Sequence, residues 1–212
     1  MSMVWPCPLA VDAYASMGRN IRVPRPQCPS CLVPAVFWSG YWRHVRWQQG
    51  LERKIFIRRV RCRACGVTHA LLPAFTLARR LDAADTAGVV IGQVAAGTCG
   101  VRPAAAAAGV PYTTARGWVR RFAARAAGLA VGFSALAAEL GGEVVRPLPD
   151  PVRSAVAAIS AAFTAAAGLP GWAVLGPWRF ASAVTGGSLL AANVSSPWLV
   201  IGRRRFMPPR SP

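Results

Sequence analysis

The chain has 212 residues, of which 54% are hydrophobic, and its 25 Lys+Arg against 7 Asp+Glu give a formal net charge of +18. This composition excludes a disordered chain, and a chain of this length can build a core without disulfides. The charge predicts a polyanion or an anionic membrane surface as partner. Residues 1–126 carry 18 of the 25 cations and 4 of the 7 acids, so this part is expected to face the polyanion.

The first 25 residues are predicted to form an N-terminal tail. Residues 1–18 lack the basic start of a secretory signal, and Pro6 and Pro8 interrupt an apolar run. We therefore expect a cytoplasmic, nucleoid-associated protein. In that compartment paired cysteines bind metals more often than they form disulfides.

Two C-x-x-C pairs, Cys28 with Cys31 and Cys62 with Cys65, predict a zinc ribbon over residues 26–75. Each pair can present two thiolates from one tight turn, and two such turns complete a tetrahedral shell. We expect one structural Zn²⁺, because four thiolates leave no open coordination position for catalysis. The alternatives are buried free thiols, or a shell in which His69 replaces one sulfur.

Between the two pairs, aromatic and β-branched residues predict strands over 35–39, 41–47 and 55–62. Cations alternate with Trp38, Trp42 and Trp47 here, a pattern that favours contact with a nucleic-acid backbone. The alternative is that the tryptophans form the ribbon core and the cations are solvated. The candidate phosphate contacts on the ribbon are Arg58, Arg59 and Arg61.

Residues 82–126 are predicted to form a helix-turn-helix unit. Helices are expected over 86–96, 103–108 and 112–126, with a tight turn at residues 109–111 before the third helix. Asp82 and Asp85 are candidate N-caps of the first helix.

The third of these helices has one apolar and one basic face. Its apolar face, predicted to pack on the other two helices, contains Ala115, Trp118, Val119 and Phe122. Its opposite face is predicted to enter a DNA major groove, with Arg116 and Arg120 reading guanine edges. The other candidate DNA contacts of this helix are Thr113, Gly117, Arg121 and Arg125.

Residues 127–212 are predicted to be all-helical with a basic tail. Helices are expected near Leu129–Leu140, Pro151–Ala167 and Pro177–Ala192, and the tail contains Arg203–Arg205. These helices either expose an apolar surface for a partner or pack back on the N-terminal part. The uncharged stretch 154–176 raises a membrane-associated alternative, which its many alanines and Pro170 disfavour.

Three motifs together carry a resemblance: Cys28-Pro-Ser-Cys31, the run from Arg59 to Pro73, and the run from Gly109 to Phe122. They resemble the N-terminal part of insertion-sequence transposases, and more closely short bacterial zinc-ribbon plus helix-turn-helix proteins associated with such elements. The resemblance implies four zinc cysteines and DNA recognition by the third helix.

The chain departs from full transposases in its acidic residues. A transposase needs three carboxylates spread over a large α/β domain to hold two metal ions. Downstream of residue 126 the only acids are Glu139, Glu143 and Asp150, and Asp150 is better explained as the N-cap of a helix starting at Pro151. We therefore expect a protein that is not an enzyme.

The expected fold is mainly α, with a small N-terminal β zinc ribbon and a helix-turn-helix followed by an all-helical C-terminal region. The expected function is sequence-specific binding of double-stranded DNA, as a helper or regulator of a separately encoded transposase. That transposase, or a second copy of the chain, is the expected partner of the C-terminal helices. A divergent or degenerate transposase and a membrane-associated protein are the alternatives.

Overall fold

The computed structural model describes residues 2–143 and 145–191, and these form a mixed α/β fold. The strands are β1 Ser2–Trp5, β2 Ala35–Trp47, β3 Leu51–Cys62 and β4 Thr68–Pro73. The helices are α1 Val11–Met17, α2 Ala84–Ala96, α3 Val101–Ala107, α4 Tyr112–Ala123, α5 Ala126–Glu139, α6 Pro151–Ala167 and α7 Gly176–Val184. The expected "mainly α" class is therefore only partly correct, because the sheet is larger than a small ribbon.

The four strands form one sheet in the order β1-β4-β3-β2. A long hairpin of β2 and β3, with 13 and 12 residues, makes up most of it, running from the pair Ala35 and Cys62 to the pair Trp47 and Leu51. Both C-x-x-C pairs therefore lie at the open end of the hairpin, and the turn at residues 48–50 lies at the other end. Strand β4 pairs antiparallel with β3 and parallel with β1.

The predicted N-terminal tail is wrong for residues 2–17. Strand β1 pairs with β4, and Met3, Val4 and Trp5 are buried because this apolar segment covers the sheet edge that β4 would otherwise expose. On α1, Tyr14 is also fully buried, and its ring packs edge-on against Phe75 with 5.3 Å between centroids. The N-terminal segment is thus part of the core.

Helices α2, α3 and α4 have the predicted helix-turn-helix order, but the predicted N-caps are wrong. The N-cap of α2 is Ala83, which makes no side-chain cap hydrogen bond. Asp82 instead pairs with Arg46 of β2 at 2.6 Å, and Asp85 pairs with Arg179 of α7 at 2.5 Å. Both carboxylates are engaged by guanidinium groups from other elements, so they fix the position of α2 rather than cap it.

The tip of the long hairpin lies against the turn of the helix-turn-helix unit. Gly109, between α3 and α4, has φ +66, and a Cβ atom placed on it would lie 2.3 Å from the carbonyl carbon of Gln49. Reciprocally, a Cβ atom on Gly50 would lie 2.7 Å from the carbonyl oxygen of Gly109. The two backbones touch directly because neither glycine carries a side chain.

Helices α5 to α7 pack back on the N-terminal part of the chain. Helix α6 has the predicted bounds, and the Asp150 carboxylate accepts a hydrogen bond from the Val152 N–H at 2.8 Å, as expected of its N-cap. On α7, Phe180 is buried, and the Ser182 hydroxyl donates to the Thr76 carbonyl at 2.7 Å. Helix α7 ends at Val184 rather than at residue 192, and the predicted basic tail 203–205 lies outside the described residues.

Among residues 2–143 and 145–191, no single helix is both long and apolar enough to cross a bilayer. Helices α4 and α5 reach that length only together, and they are bent by 63° relative to each other.

Candidate metal centre and candidate nucleic-acid interface

The four predicted cysteine ligands meet at the open end of the hairpin. The sulfur atoms of Cys28, Cys31, Cys62 and Cys65 all lie within 4.8 Å of one another. Two of the separations are 3.7 Å, from Cys28 to Cys65, and 3.3 Å, from Cys31 to Cys62. A tetrahedral shell with Zn–S bonds of about 2.3 Å places its sulfurs about 3.8 Å apart. The cluster therefore has the composition and spacing of a site for one metal ion.

Two similar turns hold the cysteine pairs. In the first, the Leu32 N–H donates to the Cys28 carbonyl at 2.8 Å, and in the second the Gly66 N–H donates to the Cys62 carbonyl at 3.0 Å. Both Leu32 and Gly66 adopt a left-handed backbone, with φ of 59° and 71°. At Gly66 this conformation carries no steric cost, because glycine has no Cβ atom. Because the turns are closed by backbone hydrogen bonds, the sulfurs are positioned by the fold itself.

The environment of the thiols favours thiolates at two of the four positions. Backbone N–H groups of Cys65 and Ala64, together with the Cys31 thiol, lower the pKa of Cys62 to about 6. At Cys28 burial raises the pKa, but hydrogen bonds from Ser30, Cys31 and His69 outweigh it and bring the value to about 7. Metal ligation by cysteine requires thiolates, so these hydrogen bonds suit a metal site.

His69 lies beside the cluster, although the predicted shell of four cysteines does not need it. Its ring is 1% exposed, and its Nε2 lies 3.8 Å from the Cys28 sulfur. Its Nδ1 is buried and has no hydrogen-bond partner among the described residues. A group that hydrogen-bonds a metal ligand helps to orient it, and His69 is placed to do this for Cys28. The other histidine, His44, is exposed and pairs with Glu52.

The three predicted phosphate contacts on the ribbon are held in different ways. Arg58 donates to the carbonyls of Ile21 and Arg19, both at 2.9 Å, and Arg59 donates to the Thr68 hydroxyl at 3.0 Å. Arg61 is exposed and stacks on Trp38, with 5.1 Å from its guanidinium carbon to the ring centroid. Only Arg61 has the open placement expected of a phosphate contact.

Arg61 also lies far from the helix-turn-helix unit. Arg61 is ten residues along β3 from Leu51 at the hairpin tip, which corresponds to about 30 Å at the rise of an extended strand. The tip is where the hairpin touches Gly109. Arg61 and the basic face of α4 therefore belong to two separate surfaces, not to one patch.

Helix α4 has the two faces that its sequence predicts. Ala115, Trp118 and Phe122 are buried, and Val119 is partly buried against the core. On the other side Thr113, Arg116 and Arg120 are exposed. The two arginines lie one helical turn apart, a spacing that lets both reach into a single groove.

The remaining two arginine candidates differ in their surroundings, and Arg125 lies beyond the end of α4, at the N-cap of α5. The Arg121 guanidinium lies across Gly117, since a Cβ atom there would be 2.9 Å from its Nη1. Arg125 faces the C-terminal segment, where its Nη1 donates to the Ser188 carbonyl at 3.4 Å. Burial lowers the pKa of Arg125, and its Nη2 has no partner among the described residues. This placement does not fit the DNA contact predicted for Arg125.

A basic cleft of about 470 Å³ opens beside α4, and sequence reasoning missed one of its walls. The helix wall includes Thr113, Gly117, Arg120 and Arg121, as the basic face predicts. The opposite wall is the loop before α2, with Arg79 and Arg80. Two adjacent arginines just before the helix-turn-helix unit indicate a basic loop. Nothing in the neighbouring sequence indicates that this loop faces α4.

Residues 21–107 match the model of a domain described as "Domain of unknown function (DUF6431)". This match covers the four cysteines, the Arg79–Arg80 loop, α2 and α3, and it ends before α4. No curated protein and no solved structure matches the chain.

Proposed function

We propose that this protein binds double-stranded DNA in a sequence-specific way, with α4 as the recognition helix. The observation that carries the proposal is the exposed face of α4, where Thr113, Arg116 and Arg120 project opposite the buried Trp118 and Phe122. A short helix, a tight turn and a longer helix hold this face outward, as in helix-turn-helix proteins. Arginine pairs bidentately with guanine in the major groove, which is the commonest base-specific contact.

The proposed role of the cysteine cluster is to hold one structural Zn²⁺. Four sulfur ligands would saturate a tetrahedral ion, so the metal would not bind water or substrate. Its position at the open end of the hairpin supports a stabilising role, because one turn precedes β2, the other follows β3, and the four sulfurs bring the two turns together. The zinc would thus hold the ends of β2 and β3 together.

The resemblance to the N-terminal part of insertion-sequence transposases supports a role at a mobile element, as helper or regulator of a separately encoded transposase. No catalytic activity is part of the proposal. A polyanionic partner also agrees with the formal charge of +18.

Selection of bound sites from a pool of random duplexes tests the proposed function. We expect the wild-type protein to enrich one short motif, and the double variant Arg116→Ala, Arg120→Ala to lose that enrichment while still binding DNA weakly through its charge. Arg153→Ala, which removes an exposed arginine from α6, serves as the control and should enrich the same motif. A wild-type protein that retains duplexes without enriching any sequence would contradict base reading by α4.

Replacing Gly117 by alanine should raise the stability of the protein and lower its affinity for DNA. Alanine is about 1 kcal/mol more favourable than glycine inside a helix, so we expect a small rise in the free energy of unfolding. The new Cβ atom would displace the Arg121 guanidinium, which lies 2.9 Å from that position, and DNA affinity should fall severalfold. Denaturant unfolding and duplex titration measure the two effects. Unchanged affinity in the stabilised variant would show that the Arg121 position does not matter for binding.

A further inference from the structure

The cleft beside α4 concentrates positive charge from two elements that are distant in the sequence. Among the described residues five arginines line it, and four of these make no ion pair with a carboxylate: Arg79, Arg80, Arg120 and Arg121. One acidic residue, Asp82, is among the described residues that line it, and its carboxylate is already paired with Arg46 at 2.6 Å. The cleft therefore has a strong excess of guanidinium groups.

The arginines of the cleft are close enough to repel one another. Burial lowers the pKa of Arg80 and the charge of Arg121 lowers it further, and together they outweigh the opposite effect of the Asp82 charge. Arg80 belongs to the loop and Arg121 to α4, so the two walls approach each other through like charges. Such an arrangement is stabilised when an anion enters between the walls.

The loop wall is held rigidly against the sheet. The Arg43 guanidinium of β2 donates to the carbonyls of Leu77, at 2.6 Å, and of Arg80. The backbone of Arg46 exchanges hydrogen bonds with Leu81, at 2.9 Å, and with Ala83, at 2.8 Å. The loop is therefore ordered before any ligand binds, and little entropy is lost on binding.

Arg79 itself is held in an unfavourable backbone conformation. Its φ is +58, in the left-handed region where a residue with a Cβ atom is uncommon. Residues held in such conformations cluster at binding sites, where the surrounding structure maintains them. Here the conformation exposes the Arg79 side chain at the mouth of the cleft.

We propose that this cleft binds a phosphate group of the DNA backbone, with Arg79 and Arg80 on one side and Arg121 on the other, while Arg120 at the rim of the same wall contacts a base. The proposal rests on the proposed function, because it takes the phosphate to belong to the duplex that α4 reads. Guanidinium groups form bidentate hydrogen bonds with phosphate oxygens, and Thr113 adds a hydroxyl donor on the helix wall. The bound phosphate would fix the register of α4 on the duplex.

The first test uses inorganic phosphate alone, followed by ³¹P NMR line broadening at constant ionic strength. We expect saturable binding to the wild-type protein and at least tenfold weaker binding to Arg79→Gly and to Arg80→Ala. Arg79→Gly suits the left-handed backbone at this position, so it should fold at least as well as the wild type. Arg153→Ala is the control of equal charge and should bind phosphate like the wild type. Equal phosphate binding by all four proteins would overturn the proposal.

The second test uses DNA, and it separates the cleft from the proposed function. Arg79→Gly should weaken binding to the selected duplex and to a scrambled one by the same factor, and reduce the salt slope by about one unit. An enriched motif with an unchanged slope in Arg79→Gly would overturn the phosphate contact while leaving base reading by α4 intact. Saturable phosphate binding in the cleft without any enriched motif would instead contradict the proposed function and assign the cleft to a free phosphate ligand.

Discussion

The variant Cys62→Ser is expected to lose its metal and the order of the two cysteine turns. Structural zinc sites of this kind contribute about 10–16 kcal/mol of apparent binding free energy, which is also folding free energy for the segment they close. We expect one zinc per chain in the wild type and none in the variant. Hydrogen exchange should become fast at residues 26–35 and 60–68.

The helices should remain folded in Cys62→Ser, because their core does not include the cysteine cluster. Trp118, Phe122 and Phe133 are buried on α4 and α5, and the hairpin tip, which touches Gly109 before α4, lies at the end of the sheet opposite the cysteines. The matched control is Cys99→Ser, which alters a cysteine outside the cluster and should keep the metal. A wild-type protein that contains no metal but protects both turns from exchange would contradict the assignment.

The variant Gly109→Ala is expected to destabilise the protein by several kcal/mol. Its Cβ atom would lie 2.3 Å from a backbone carbon of Gln49, and a backbone atom cannot move aside as the end of a side chain can. The left-handed φ of +66 adds roughly 1–2 kcal/mol for a residue with a Cβ atom. We therefore expect the hairpin tip to move away from the helix-turn-helix turn. Denaturant unfolding should show the accompanying loss in the free energy of unfolding.

Gly97→Ala provides the control for the backbone part of this effect. Gly97 ends α2 with φ +73, and a Cβ atom placed there meets nothing within 4 Å. Replacement of Gly97 by alanine should lower the free energy of unfolding only by the cost of the left-handed φ. If the two variants lose the same free energy of unfolding, the contact between Gly109 and Gln49 contributes nothing, and the hairpin is not fixed to the helix-turn-helix unit in the way the structure shows.

Features with a strong local signal could be predicted from the sequence. The C-x-x-C spacing indicates the cysteine cluster because each pair closes its own turn. The bounds of α6 follow from Asp150 and Pro151 at its start, and the buried face of α4 follows from the 3.6-residue periodicity. In each case the chemistry lies within one turn or one helix, where sequence neighbours are also neighbours in space.

Features that depend on contacts between distant segments could not be predicted. Residues 2–5 have no signal that distinguishes a tail from a strand, and they become a strand only because β4 offers a parallel edge. The position of Asp85 at the start of α2 is typical of an N-cap. Its carboxylate instead accepts a hydrogen bond from Arg179, which is 94 residues away. The prediction that Arg125 faces DNA fails because the Arg125 side chain contacts the Ser188 carbonyl. That contact could not be predicted, since Ser188 is remote in the sequence.

Titration of Arg120→Ala against the selected duplex and a scrambled one tests the central claim most directly. Arg120 is exposed on α4, and its guanidinium is predicted to contact a base edge. We predict that this variant binds the selected duplex about ten- to a hundredfold more weakly, a loss of about 1–3 kcal/mol, while its affinity for the scrambled duplex falls much less. If both affinities fall by the same factor at every salt concentration, α4 does not read base sequence and the proposed function is wrong.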